Sequence, residues 1–239
     1  MKKNKMMRNT AALGVAVLLT ASVLSGTLAK YTTSVTGKDE ARVAKFGVVI
    51  TESGAMFADE YETDDTSVIG TIAKSVVTSG KTGDAVVAPG TTGELVNAII
   101  SGTPEVAVRV QYEPTLTLTG WKAEDNSEYC PIVITVGDKT YGLTGMKDIN
   151  GIAVTNAANS VAELKTTVEN AIKAYSKSYA PNTDLSTIGT NGYVHASWNW
   201  AFENDDEKDT YLGKLAADAD ESNDSKIELA LKTTVSQID

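Results

Sequence analysis

Cysteine and histidine are almost absent from this chain of 239 residues, which has one of each, Cys130 and His195. A single cysteine excludes a disulfide within the molecule, so stability must come from packing and backbone pairing. Because a catalytic zinc site uses three protein ligands, a single histidine argues against one. The chain also has no His-Glu-x-x-His motif and no Ser-His-Asp arrangement with a nucleophile turn. We therefore expect no enzyme activity, a buried thiol at Cys130 and a solvent-facing strand position for His195.

Basic residues are scarce as well, since 21 Lys and Arg stand against 31 Asp and Glu, for a net charge of −10. Residues 1–29 hold four basic residues and no acidic ones, so without them 17 basic and 31 acidic residues leave a net charge of −14. An acidic chain of this kind is repelled by phosphate backbones and anionic lipids. We expect no nucleic-acid partner.

Residues 1–29 have the composition of a secretion signal. The four basic residues precede an uncharged run at residues 10–29, and Thr27-Leu28-Ala29 offers small residues where a signal peptidase reads them. We predict cleavage between Ala29 and Lys30, and hence a secreted protein. A retained anchor is the alternative, because about 20 apolar residues span a bilayer, but Gly, Ser and Thr within the run disfavour it.

Apolar and polar residues alternate with a period of two through much of the remaining chain, which is typical of half-buried strands. Pro114 should interrupt one strand, and Gly137-Asp138-Lys139 should turn another. Trp198 and Trp200 share one strand face and are interpreted as core residues rather than as a sugar-stacking platform. An all-β antiparallel sandwich of the jelly-roll type follows. The predicted strands cover residues 42–50, 106–112, 132–136, 193–202 and 227–237.

One amphipathic helix is predicted at about residues 160–178, where Ser160 and Glu163 form a capping box before apolar residues at helical spacing. A shorter helix is expected at residues 208–217, and surface loops at residues 56–67 and 78–83. The predicted organisation is a signal peptide (1–29), an N-terminal strand with a flexible lead-in (30–40), and one domain (41–239) with a helical insertion at about 146–192.

An acidic run near the C-terminus suggests a test for calcium. Asp218, Asp220 and Ser222 occupy the first, third and fifth places of an EF-hand-like spacing, but Asn223 and Leu229 stand where glycine and the bidentate glutamate are required. We therefore expect no cofactor and no defined metal site. Weak calcium binding is the alternative, with oxygen ligands from Asp205, Asp206, Asp209, Asp218, Asp220 or Asp224.

Short motifs at both ends of the chain resemble those of a known family. Residues 25–31, Ser-Gly-Thr-Leu-Ala-Lys-Tyr, resemble the signal junction of substrates of the signal peptidase SipW. Two early segments, residues 41–48 and the Val-Ala-Pro-Gly turn at 87–90, are similar to the first strands of TasA/camelysin-like proteins. Two later segments, Trp-Asn-Trp at 198–200 and Asp-Thr-Tyr-Leu-Gly at 209–213, are similar to motifs near the C-terminus of the same family. Residues 146–192 match none of them. Camelysin-like members have been classed as metalloproteases, but their metal ligands are missing here.

The resemblance implies a jelly-roll domain that serves as the subunit of an extracellular or biofilm-matrix fibre, located in the matrix or at the cell surface. Its partners would be identical subunits and an accessory matrix protein, with signal peptidase during export. We hypothesise that the N-terminal segment leaves its own domain and adds a strand to the next subunit, which gives an open filament. The alternative is a monomeric secreted module that binds glycan or calcium through an exposed aromatic or acidic patch, such as Trp121 with Trp198 or the loops from Asp205 to Asp224. The candidate polymerisation strand is Lys30, Tyr31, Thr32, Thr33, Ser34 and Val35.

Overall fold

A computed structural model describes residues 42–51, 56–58, 60–63, 75–78, 80, 85–95, 99–189, 194–202, 204–217 and 224–238. Residues 44–238 form one compact unit, which does not include residues 1–43 or Asp239. Every strand and helix given below lies in this unit.

Twelve strands and two α-helices form the described part of the chain, so the prediction of a β-rich fold is confirmed. None of the helices among these residues is long and apolar enough to cross a bilayer. In chain order the elements are β1 (Val49–Thr51), β2 (Glu60–Thr63), β3 (Ser75–Thr78), β4 (Thr92–Leu95), β5 (Ile99–Ser101), β6 (Val108–Thr119), β7 (Ile132–Val136), β8 (Lys139–Leu143), β9 (Asn156–Ala158), α1 (Val161–Lys173), β10 (Lys177–Tyr179), a 3₁₀ turn (Leu185–Thr187), β11 (Ala196–Trp200), α2 (Asp206–Ala217) and β12 (Lys226–Gln237).

The strands form two larger sheets and two ribbons. One sheet has the order β4-β11-β7-β8-β9 and the other β10-β6-β12, while β1 pairs with β5 and β2 with β3. All of these pairs are antiparallel except β8 and β9, which are parallel. The expectation of a wholly antiparallel arrangement is wrong at that pair, because residues 144–155 give the chain the dozen residues that a parallel return requires.

A single hydrophobic core receives side chains from both larger sheets and from α1. On β11, Trp198 and Trp200 lie opposite Ile134 and Ile132 of β7, and all four are buried, as predicted for core residues. Helix α1 packs on β6 and also on β7, β8 and β9. Its buried residues, Leu164, Val168 and Ile172, follow the predicted helical spacing.

The start of α1 confirms the predicted capping signal. Ser160 Oγ accepts a hydrogen bond from the Glu163 amide at 3.1 Å, and a Glu163 carboxylate oxygen accepts one from the Asn159 amide at 2.8 Å. These contacts satisfy amides that have no partner within the helix. The helix ends at Lys173, earlier than the predicted residue 178, and Ala174 forms its C-cap.

Strand β6 continues through Pro114, so the predicted interruption is wrong. Pro114 lies opposite Leu231 in an unbroken register with β12. On the edge of β6 that faces away from β12, the Tyr112 amide donates to Ser176 Oγ (3.0 Å) and the Leu116 amide to Glu169 Oε1 (2.9 Å). Since Pro114 falls between them on the same edge, its missing N–H removes no bond to β12.

Two predictions near the N-terminus need correction. Residues 42–48 do not form a strand, because Gly47 adopts a positive φ of 53° and only Val49–Thr51 pairs, with β5. The segment predicted as a loop at 56–67 contains β2. Met56 in this segment is buried, and its carbonyl accepts a hydrogen bond from Trp198 Nε1 at 2.8 Å. The turn at Gly137, with φ of 64°, joins β7 to β8 as predicted.

Candidate functional site

Most of the predicted site lies outside the described residues. This holds for the cleavage positions Ala29 and Lys30, for the whole candidate polymerisation strand at residues 30–35, and for Asp218 and Asp220. A surface that could receive such a strand can be sought in the part of the chain that the structure describes.

The last strand, β12, has one long edge to which no described strand is bonded. Its twelve residues pair only with β6, within the sheet order β10-β6-β12. The Ile238 amide donates to the Ala107 carbonyl at 3.0 Å, which places the even-numbered residues of β12 in bonds with odd-numbered residues of β6. Because successive backbone groups of a strand point to opposite edges, the N–H and C=O groups of Ile227, Leu229 and the following odd-numbered residues face the open edge.

The side chains of those odd-numbered residues form an apolar surface beside the open edge. Leu229 is buried, but Ile227, Leu231 and Val235 are only half-buried, whereas Pro114 and Val110, which lie opposite Leu231 and Val235 on β6, are buried. We call Ile227, Leu231 and Val235 the β12 shelf. An edge strand with an apolar inner face and unbonded backbone groups is a template for pairing with another chain.

Two residues of this sheet carry hydroxyl groups without hydrogen-bond partners. Tyr112 OH and Thr233 Oγ1 are buried, and the two residues are direct cross-strand partners. Burial, together with the nearby Tyr179, raises the pKa of Tyr112 to about 12. The hydroxyls are therefore neutral donors and acceptors whose bonding capacity is unused.

The other open edges in the described part of the chain are short. In the larger sheets, strands β4, β9 and β10 have four, three and three residues, and the ribbon strands β1, β2, β3 and β5 have three or four each. The second edge of β6 is occupied by β10, Ser176 and Glu169. Among the described strands, β12 thus offers the longest edge for an added strand.

A second cluster of polar side chains holds α2 against the core. Asp209 is 9% exposed, and its Oδ1 accepts a hydrogen bond from Tyr129 OH at 2.7 Å. Trp200 Nε1 lies near the same carboxyl group but forms no hydrogen bond of ordinary length, and Asp209 Oδ2 has no partner. Burial raises the pKa of Asp209 above its usual value, and the charges of Asp205 and Asp206 add to the increase.

Lys208 covers the outer side of this cluster. Its Nζ lies 2.9 Å from Asp205 Oδ2 and 5.2 Å from the centre of the Tyr129 ring. The Lys208 amide also donates to Asp205 Oδ1 at 3.1 Å, so Asp205 caps the start of α2. Asp205 and Asp209 are thus engaged in docking the helix.

The calcium hypothesis is not tested by these residues. The described part of the chain contains no group of three or more Cys, His, Asp or Glu residues that could hold a metal ion. Asp224 Oδ1 is buried without a hydrogen-bond partner. Because Asp218 and Asp220 are outside the described residues, weak calcium binding stays a prediction.

The remaining candidate residues take structural positions. Cys130 is fully buried, as expected, and burial raises the pKa of its thiol to about 12. His195 is half-buried, with Nε2 3.6 Å from Glu94 Oε1. Trp121 and Trp198 are 3% and 0% exposed, so the exposed aromatic patch suggested for glycan binding is wrong.

Comparisons with family models, with curated proteins and with solved structures find no match to this chain. The resemblance to TasA/camelysin-like proteins therefore stays an inference from short motifs.

Sequence reasoning missed the β12 shelf and the pair of Tyr129 and Asp209. Alternation predicted the apolar face of β12 but carries no information on which strands lie at the edges of a sheet. Tyr129 and Asp209 are 80 residues apart, and the only local signal was an acidic residue on the apolar side of a short helix.

Proposed function

We propose that this chain is a secreted, non-enzymatic structural subunit of an extracellular or biofilm-matrix fibre, with a jelly-roll-type sandwich of the TasA/camelysin-like kind. The observation that carries the proposal is the long open edge of β12 beside a half-buried apolar face. The β-prone segment at residues 30–35, next to the predicted cleavage point, is the matching sequence feature.

In this proposal, cleavage after Ala29 releases the N-terminal segment from the membrane. The segment adds a strand to a neighbouring subunit, and backbone hydrogen bonds supply affinity while alternate side chains supply specificity. Because donor and acceptor surfaces differ, each added subunit presents a new open edge and a filament grows. The membrane-tethered form cannot donate its strand, so export acts as the switch. An accessory matrix protein is a second candidate partner.

The distribution of reactive side chains supports a structural role. Cys130 is fully buried, Asp209 is bonded to Tyr129 beneath α2, and Asp205 caps that helix. Each of these groups has a packing or capping contact that explains its position. No observation favours the alternative of a monomeric glycan- or calcium-binding module over the fibre subunit.

The proposal is tested by removing residues 30–35 from the chain that begins at Lys30. We expect filaments from the intact chain and none from the deletion variant in negative-stain electron microscopy. A double variant with Tyr31→Ser and Val35→Ser should also fail to polymerise. The matched control, Thr32→Ala with Ser34→Ala, changes the opposite face of the same strand and should polymerise.

Mass spectrometry of the exported chain completes this test, and a mature N-terminus at Lys30 is the expected result. Intact filaments from the deletion variant would contradict strand donation. A chain that stays monomeric, and whose melting temperature rises on addition of calcium, would favour the binding module instead.

A further inference from the structure

We infer that the open edge of β12 is the acceptor for residues 30–35 of a second copy, in antiparallel register with Thr33 opposite Thr233. This inference rests on the proposed function and specifies the surface and alignment that it uses. The observations behind it are the bonding direction of β12, its side-chain pattern and the unpaired hydroxyl of Thr233.

The bonding direction fixes which residues of β12 can accept the strand. Odd-numbered residues, Thr233 among them, direct N–H and C=O toward the open edge. In an antiparallel pair, Thr33 and Thr233 would exchange both backbone hydrogen bonds. We choose the antiparallel direction because β10, β6 and β12 are antiparallel throughout, and sheets of one kind predominate.

The side-chain pattern fixes the alignment. The inward positions of the added segment are Tyr31, Thr33 and Val35, an apolar-polar-apolar series. Leu231, Thr233 and Val235 on β12 form the same series. With Thr33 opposite Thr233, Tyr31 lies beside Val235 and Val35 beside Leu231, so that two half-buried residues of the β12 shelf are covered.

The hydroxyl groups give this alignment a chemical reason. Thr233 Oγ1 is buried without a partner. A Thr33 hydroxyl placed beside Thr233 can donate to this oxygen, and cross-strand threonine pairs are favourable. A shift of two residues would set an apolar side chain against Thr233 and leave its hydroxyl unpaired.

A proline at position 233 tests the edge without disturbing the β6 pairing. Thr233→Pro removes an N–H that faces the open edge, while the bonds to β6 come from even-numbered residues. We expect the critical concentration for filaments to rise at least about fivefold, the effect of one lost hydrogen bond. The control Glu228→Ala keeps every N–H of β12 and changes an exposed side chain on the opposite face of the strand, so it should stay within about twofold of the unaltered chain.

Disulfide trapping tests the register independently of the proline variant. It therefore still tests the β12 assignment if Thr233→Pro does not fold. A chain with Thr33→Cys and Thr233→Cys should give a ladder of covalent oligomers after oxidation, because paired residues place their Cα atoms about 5.5 Å apart. The control pair Thr33→Cys and Ile227→Cys should give none. Cys130 is fully buried and is not expected to interfere.

A peptide assay separates failure of this inference from failure of the proposed function. A peptide of residues 30–41, added to a chain without residues 30–35, should slow hydrogen exchange at the amides of Ile227, Leu231 and Thr233. If the unaltered chain forms filaments, the Thr233→Pro variant has the same critical concentration and no disulfide-linked ladder appears, the β12 assignment is overturned but the fibre proposal stands. Peptide protection without filaments would support the assignment and count against the fibre, and absence of both would overturn both.

Discussion

Asp209 is a buried carboxyl group on the inner side of α2, with one oxygen bonded to Tyr129 and the other unpaired. An ionised group in this position carries a desolvation cost that its partners do not fully offset, since burial raises its pKa. The folded state therefore takes up a proton more readily than the unfolded state does. The resulting loss of folding stability is complete above the pKa of Asp209 in the folded state. It disappears as the pH falls below that pKa toward the ordinary carboxyl value of about 3.9.

We predict that Asp209→Asn stabilises the protein near pH 7 by on the order of 1 kcal/mol, because the amide keeps an acceptor for Tyr129 without the charge. The difference from the unaltered chain should vanish as the pH approaches about 4. Urea denaturation at several pH values measures it. Glu207→Gln, which removes one exposed negative charge from the same helix, is the control and should show little effect. Equal stability at every pH would refute the account of Asp209.

Trp198 joins the segment before β2 to the centre of the five-stranded sheet. Its ring is fully buried, and the ring centroid lies 5.5 Å from that of Phe57 and 5.6 Å from that of Tyr61. Its Nε1 donates a hydrogen bond to the Met56 carbonyl. Trp198→Ala should reduce the free energy of unfolding by about 3–5 kcal/mol. Trp198→Phe keeps an aromatic ring and loses the donor, so about 1–3 kcal/mol is expected. Denaturant titration should give this order, and a loss from Trp198→Ala no larger than that from Trp198→Phe would contradict it.

Among the elements, β6 is central because it supports β12 on one edge and is closed by α1 on the other. Glu169 of α1 accepts the Leu116 amide at 2.9 Å, and Ser176 accepts the Tyr112 amide. Side chains thus complete the hydrogen bonds of this edge beyond the short strand β10. Among the strands that the structure describes, this arrangement leaves β12 with the long open edge of the sheet.

Glu169→Ala should therefore destabilise the protein by about 1–3 kcal/mol, because the Leu116 amide loses its partner. Glu169→Gln retains an acceptor oxygen and should cost less. Thermal denaturation measures both variants, and hydrogen exchange at the Leu116 amide should accelerate in the alanine variant alone. Unchanged exchange at Leu116 would show that this contact does not protect the edge.

The elements also show what alternation can and cannot predict. β7, β11, β12 and α1 were predicted because each buries a regular face, and that signal is local. The strand predicted at residues 42–50 forms only from Val49 onward, and Gly47 takes a positive φ before it, a feature that alternation cannot predict. Strand β6 runs through Pro114 because the missing N–H of the proline lies on the edge of β6 that faces away from β12. Which edge faces β12 depends on pairing between residues far apart in sequence, so alternation cannot predict it.

At the scale of the whole molecule, the proposed function joins two features that lie far apart in sequence. The donor segment was predicted from residues beside the signal junction. The acceptor could not be predicted, because an open edge is defined by the order β10-β6-β12, and this order depends on contacts between distant residues. The half-burial of Ile227, Leu231 and Val235 became visible only in the folded chain.

Negative-stain electron microscopy of the purified chain that begins at Lys30, over a range of concentration and pH, tests the central claim most directly. The account predicts unbranched filaments above a critical concentration and none from the chain that retains residues 1–29. Persistent monomers at every concentration, with a folded domain by circular dichroism, would contradict the claim that this chain polymerises by its own N-terminal strand.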